Sequence, residues 1–128
     1  MDRRNINASD APPPVGLTYS QAVEVVNASR TLYISGQVGI DASGTIPEDI
    51  VEQSKVVWAN IEAQLRAGGM SLDNVVKITT IVTDHSYIAA SRTARLEVLG
   101  DRRPGSTLIV AGLVDPAMKI EIEAIAVA

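Results

Sequence analysis

The sequence predicts an α+β fold in which a sheet packs under two helices, and three observations support this prediction. The chain has 128 residues, which is the length of a single domain. Its predicted elements follow the order β-β-α-β-α-β-β. In the last strand, Ile120 and Ile122 alternate with Glu121 and Glu123, which is the two-residue period of a sheet with one buried face.

The amino-terminal part of the chain is predicted to be an arm followed by a hairpin. Residues 1–14 end in three prolines and show no core-forming periodicity. An amino-terminal arm is therefore expected over residues 1–15 and the single domain over residues 16–128. Residues 22–26 and 30–38 are rich in β-branched side chains, and the Asn-Ala-Ser between them is typical of a turn. These two strands are predicted to pair as a β-hairpin.

The remaining elements are predicted from helix signals and alternation. Proline and acidic residues favour a helix start at Pro47, and Gly68 favours its end. Ser86 is a candidate cap for a second helix. The predicted elements are a helix over 47–67, a strand over 75–83, a helix over 87–99, and strands over 107–113 and 119–128.

The composition excludes several kinds of site. The chain contains no cysteine, which excludes disulfides, thiolate metal ligands and a cysteine nucleophile. A Ser-His-Asp hydrolase would have to use the single histidine, His85, which cannot form a His-rich metal site alone. A lone histidine before a helix is more often a capping or surface residue. We therefore expect no metal.

Charge and hydropathy argue against nucleic acids and membranes. The net charge is −4, and the only aromatic residues are one Trp and three Tyr, which is a poor composition for binding phosphates and stacking bases. The longest apolar run is far shorter than the roughly 20 residues of a membrane helix. The polar amino terminus does not resemble a secretory signal. A cytoplasmic location is the expectation.

The second face of the predicted sheet is mixed. Glu121 and Glu123 share it with Ile125 and Val127, so another subunit could cover it. The alternative is a solvated face that carries two ordinary glutamates.

Several segments, read in order, match the pattern of a known family. They are residues 19–23, residues 32–37, Asp49-Ile50 with Gln53, Asn60, Gly69 with residues 72–77, Arg103-Pro104 and residues 119–124. Together they resemble the Rid family of reactive-intermediate imine deaminases, which is also called YjgF-like or, in older usage, L-PSP endoribonuclease. The resemblance covers residues 16–128.

The resemblance implies a chorismate-mutase-like α+β fold with two helices on one face of a mixed sheet. It also implies a homotrimer that binds a small molecule between its subunits and needs no metal or organic cofactor. Glu121 would handle the water that attacks a C=N bond. Tyr19, the backbone around Ser35-Gly36, and Asn60 would shape or support the site.

The residue types fit these roles unequally. A partly desolvated carboxylate such as Glu121 can activate water and then protonate the departing nitrogen. Tyr19 could donate a hydrogen bond or simply pack, and Asn60 suits structural hydrogen bonding better than catalysis. Ser35 has no visible base to make it a nucleophile, and Gly36 suits a position of close approach.

The sequence departs from the family pattern at the carboxylate-binding arginine. Active relatives read Arg-Pro, one residue, Arg and then Ser or Thr, whereas this chain reads Arg-Pro-Gly-Ser-Thr from Arg103 to Thr107. Arg102 or Arg103 could take over, although surface arginines in a loop are usually solvated. Arg103 and Thr107 are the candidate substrate-binding residues here.

Three functions follow as hypotheses. The first is a Rid-like enzyme that adds water to small imines, enamines or related reactive intermediates, but is not a typical 2-aminoacrylate deaminase. The alternative is a non-catalytic trimer that binds a small molecule or has a regulatory role. The third, an endoribonuclease or translation inhibitor, fits the acidic, aromatic-poor composition poorly.

Overall fold

The computed structural model describes all 128 residues and confirms the α+β fold. It contains two helices, a four-stranded mixed sheet and a separate two-stranded ladder. The strands are β1 (Asp2–Ile6), β2 (Ala22–Val26), β3 (Thr31–Val38), β4 (Val75–Val82), β5 (Gly105–Val110) and β6 (Ile120–Val127), and the helices are α1 (Ile50–Ala67) and α2 (Ile88–Leu99).

The main sheet has the order β3-β6-β4-β5. The last strand of the chain, β6, lies inside the sheet and pairs antiparallel with both β3 and β4. Strand β5 pairs parallel with β4 and forms one edge. The alternation read from β6 is confirmed, because Ile120 and Ile122 are buried whereas Glu121 and Glu123 are not.

The predicted hairpin and the start of regular structure are both wrong. Strand β2 pairs antiparallel with β1, from Asp2 opposite Val26 to Ile6 opposite Ala22, so part of the predicted arm is a strand. Asn27 adopts a positive φ of 60° and turns the chain away from β2. The amides of Ser29 and Arg30 then donate to the carbonyl of Ala128, which directs β3 to the carboxyl-terminal strand instead.

The helix ends differ slightly from the sequence prediction. Helix α1 begins at Ile50 with Asp49 as its N-cap, whose carboxylate accepts from the amide of Glu52 at 3.2 Å. Its predicted end at Gly68 is confirmed. Ser86 does not cap α2; its amide instead donates to the side chain of Asp84 at 2.8 Å, in a short 3₁₀ turn before the helix.

The two faces of the main sheet have different surroundings. Helix α1 packs on β3, β6 and α2, and its Val57, Ile61 and Leu65 enter the core beside Ile78 and Ile122 of the sheet. No helix covers the opposite face, which we call the outer face. There Tyr33 is 76% exposed and Ile109 is 44% exposed.

A single buried amide joins the start of α1 to the start of β6. The Gln53 side chain is fully buried, and its Nε2 donates to the carbonyls of Pro47 at 2.7 Å and Ala117 at 2.9 Å. Its Oε1 accepts from the amide of Lys119 at 2.9 Å. The loop before β6 is thereby held against the helix.

We expect Gln53→Ala to lower the free energy of unfolding by about 3 kcal/mol, because several buried backbone groups lose their partners together. Urea unfolding would measure the change. Gln64→Ala, an exposed position on the same helix, is the matched control and should change stability by less than about 0.5 kcal/mol. Equal effects of the two substitutions would contradict this role for Gln53.

Candidate active site

A cavity of about 310 Å³ lies between residues 15–19, helix α2 and edge strand β5. This volume is at the lower end of the roughly 300–1,000 Å³ typical of small-molecule sites. Its lining combines apolar side chains with hydroxyls and two arginines, and includes no acidic residue. The lining residues are Val15, Gly16, Thr18, Tyr19, Arg92, Arg95, Leu96, Ser106 and Leu108.

The segment that carries Tyr19 is fixed to the edge of the sheet by its neighbour Ser20. The amide of Ser20 donates to the carbonyl of Pro104 at 3.1 Å, and its hydroxyl donates to the carbonyl of Arg103 at 2.6 Å. Ser20 also forms a parallel bridge with Gly105. The Tyr19 hydroxyl accepts from the amide of Val15 at 3.2 Å, so the ring is held at the wall of the cavity.

Arg95 is the central charged group of this cavity. Its Nη2 donates to the Thr18 hydroxyl at 2.8 Å, and its Nη1 to the Ser106 hydroxyl at 3.4 Å. Its Cζ lies 5.9 Å from the centroid of the Tyr19 ring, within the range of a cation–π contact. The residue is only 9% exposed.

No carboxylate neutralises Arg95. The ion pairs of the structure join other residues, and its buried Nε has no hydrogen-bond partner. Burial lowers the pKa of Arg95, and the nearby positive charge of Arg92 lowers that pKa further, with a partial opposing effect from Tyr19. A guanidinium stays protonated at neutral pH even so. The cavity therefore has a positive wall.

Glu121 occupies a different place, on the outer face of the sheet. Its register neighbours are Val38 on β3 and Ile81 on β4. A Cβ atom placed on Gly36 would lie 2.6 Å from Cδ of Glu121, so the missing side chain of this glycine leaves room for the carboxylate. Glu121 forms no ion pair.

The other predicted site residues support or flank these two places. Ser35 is exposed beside Gly36. Asn60 donates from Nδ2 to the carbonyls of Val38 at 3.1 Å and Ile40 at 2.8 Å, which fixes the end of β3. The Thr107 hydroxyl lies on the outer face and accepts from Nζ of Lys77 at 2.7 Å.

Neither arginine of the loop before Pro104 lines the cavity. Arg102 is bound to Asp73, with Nε 2.7 Å from the carboxylate. Arg103 is exposed, and its carbonyl rather than its guanidinium contacts Ser20. His85 is exposed at the start of the 3₁₀ turn before α2.

The strand register separates the candidate site residues into two groups on opposite faces of the sheet. Ser106 lies opposite buried Ile78 and therefore faces the helices, together with Tyr19 and Arg95. Glu121 and Gly36 lie on the outer face, as does Thr107. Arg95 and Glu121 of the chain therefore lie on opposite sides of the main sheet.

Arg95 was not among the site residues predicted from the sequence. Its helix spacing carries a signal, because Ser91, Arg95 and Leu99 recur every four residues and are all buried. An arginine inside an otherwise apolar or small-residue stripe indicates a buried charge with a specific partner or role.

Two further features bear on the kind of site. The structure brings together no group of three or more His, Cys, Asp or Glu side chains that could hold a metal ion. Neither helix has the length and apolarity that crossing a bilayer requires.

The fold and the cavity together define an α+β protein with a cavity at the edge of its main sheet. The family model described as Endoribonuclease L-PSP matches residues 9–128. The chain belongs to this family, whose members also carry the names Rid and RutC.

Relatives with full-length similarity support this assignment. The 2-iminobutanoate/2-iminopropanoate deaminase of Capra hircus is 38% identical, with 98% of this chain and 90% of the relative covered. A RutC family protein of Pyrococcus horikoshii is 37% identical over 94% of each chain. A Rid family protein of unknown function from Yersinia pestis has a TM-score of 0.86 at 34% identity and full coverage of both chains.

We expect Arg95→Met to leave the free energy of unfolding unchanged or to raise it by up to about 2 kcal/mol, because a buried charge without a carboxylate partner opposes folding. Urea unfolding would measure this. Leu99→Ala, one turn further along the same buried stripe, is the comparison and should lose about 2–4 kcal/mol. A similar loss in the free energy of unfolding of Arg95→Met would show that Arg95 stabilises the fold.

Proposed function

We propose that this protein is an imine deaminase that hydrolyses small imines derived from amino acids. The observation that carries the proposal is the Glu121 carboxylate, held over Gly36 and free of any ion pair within the protomer. The names of relatives such as the Capra hircus deaminase support it.

Glu121 would act first as a base and then as an acid. It takes a proton from water while the water oxygen bonds to the carbon of the protonated imine, whose C=N π electrons move to nitrogen, and this gives a neutral carbinolamine. It then returns the proton to that nitrogen. The C–N bond breaks as the hydroxyl oxygen forms the C=O bond, and the hydroxyl proton leaves with ammonia, so that a carbonyl compound and ammonium are released. The overall change is addition of one water and loss of one ammonium.

The assembly we propose is a homotrimer with the ligand between subunits. Its outer faces would lie against neighbouring copies, so that Glu121 of one copy approaches the cavity of the next. The exposed Tyr33 lies beside Ile125, and the exposed Ile109 lies beside Ile81. These apolar side chains at both edges of the outer face support this assembly, because apolar surface of this kind marks interaction sites. A head-to-tail contact of this type closes into a ring when the rotation allows.

The competing function is a trimer that binds a small molecule without catalysis. An ion pair between Glu121 and a structural arginine or lysine would favour this function, because the carboxylate could then not act as a base. Glu121 forms no such ion pair within the protomer. RNA cleavage is supported by the description of the family model but not by the net charge of −4 or by the few aromatic residues.

The sequence-based expectation of an atypical deaminase stays a prediction. Its premise is that no guanidinium reaches the site, since an arginine is missing after Pro104.

We expect the protein to accelerate the loss of 2-iminobutanoate generated in situ by an amino-acid oxidase, and Glu121→Gln to slow this loss at least about 100-fold because the base is removed. Glu123→Gln is the matched control, an exposed carboxylate two residues along the same strand, and should retain activity. No acceleration by the wild-type protein, or equal losses in both variants, would overturn the proposal.

We expect light scattering at micromolar concentration to give three times the 13.5 kDa chain mass, because the outer face needs an apolar cover. Ile109→Glu should weaken the assembly by placing a charge on that face. Thr45→Glu, at an exposed loop position, is the control and should leave the mass unchanged. A monomer mass for the wild-type protein would contradict the assembly.

A further inference from the structure

Arg95 is an unusual group to find without a counter-ion. A buried guanidinium ordinarily has a carboxylate partner, because removing a charge from water is costly. Here its named partners are the hydroxyls of Thr18 and Ser106 and the ring of Tyr19. Its Nε–H has no acceptor.

The surroundings of Arg95 strengthen its positive potential. Arg92, one turn earlier on α2, lines the same cavity, and no acidic residue does. The chain as a whole is acidic, with 15 Asp and Glu against 11 Lys and Arg, so the absence of acids here is not explained by composition. An open cavity that is lined by one buried and one exposed arginine, and by no acidic residue, attracts a small anion.

We propose that Arg95 binds the carboxylate of the imino-acid substrate, and that it does so from helix α2 rather than from the loop after Pro104. This inference rests on the proposed deaminase function. The guanidinium uses only two donated hydrogen bonds to the protein, one of them long at 3.4 Å, and has further N–H groups for an anion. Its planar fork suits a carboxylate, and Thr18 and Tyr19 fix its orientation.

The cavity also matches the remainder of such a ligand. Leu96 and Leu108 provide apolar wall beside the guanidinium, which suits a short alkyl chain. The Arg95 guanidinium would hold the substrate carboxylate in one position, and this would orient the imine carbon toward an attacking water.

The small side chain of Ser106 makes this arrangement possible. Ser106 is the second residue after Pro104, the place at which the family pattern has an arginine. Its hydroxyl accepts a hydrogen bond from Nη1 of Arg95. A longer side chain at this position of β5 would fill the space that the Arg95 guanidinium occupies. The protein therefore has a carboxylate-binding arginine, supplied by a different element.

The test measures binding and kinetics separately with the full chain. Binding of 2-oxobutanoate, the keto acid that hydrolysis of 2-iminobutanoate produces, is followed by calorimetry or NMR. We expect Arg95→Gln to weaken it at least about tenfold, and Arg95→Lys to recover part of the loss because it keeps the charge but not the fork. The control is Arg66→Gln, an exposed arginine in the last turn of α1, which should bind normally.

Kinetics with 2-iminobutanoate provide the second readout. Arg95→Gln should raise KM at least about tenfold, with any further effect on kcat reporting lost orientation. Unchanged binding and unchanged KM in Arg95→Gln would overturn the inference, as would an equal loss of binding in Arg66→Gln. In either case, an active wild-type protein would still uphold the deaminase function. A wild-type protein that binds 2-oxobutanoate through Arg95 but hydrolyses no imine would uphold the inference and overturn the function.

Discussion

Pairing of β6 along both of its edges is the constraint on which the rest of the structure depends. Because β3 and β4 hold it on either side, its side chains alternate strictly between the two faces. Ile120 and Ile122 anchor the core under α1, and the same alternation sends Glu121 to the outer face. A shift of one residue would bury the glutamate and expose the core. The position of the proposed catalytic acid is therefore a direct consequence of the packing.

The cavity depends on a different set of contacts at the sheet edge. Ser20 binds the segment before β2 to the start of β5, and α2 closes the other side. Arg95 lies in that wall at the cost of an unpaired buried charge. Functional sites commonly lower the stability of the fold in exchange for activity. A buried charge without a counter-ion in the protein is expected where the bound ligand provides that counter-ion.

The sequence is sufficient to predict the elements whose patterns are local. The alternation in β6 and the apolar spacing of α1 are periodic, and the structure follows both. Pairing is not local, which is why the neighbouring strands β2 and β3 were predicted to form a hairpin although β2 pairs with β1. Nothing in the alternation of residues 22–26 distinguishes one partner from the other.

The candidate site was predictable only in part, because the contacts that form it are not local in the sequence. A resemblance to a family indicated Glu121, Tyr19 and Gly36, and the contact of Gly36 with Glu121 gives a steric reason for that glycine. Arg95 resembles any helical arginine until the fold places it against Tyr19 and Ser106. Contacts that join residues of three separate elements cannot be read from one segment of the sequence.

In the proposed trimer, the active site combines Arg95 of one copy with Glu121 of another. Mixed trimers of Arg95→Gln and Glu121→Gln test it most directly, because each closed ring that contains both chains has one interface with the two wild-type residues. Differently tagged variants would be co-expressed, the mixed species purified, and 2-iminobutanoate hydrolysis measured. We expect about a third of the wild-type activity per trimer to return. Activity no greater than that of the two homotrimers would contradict it.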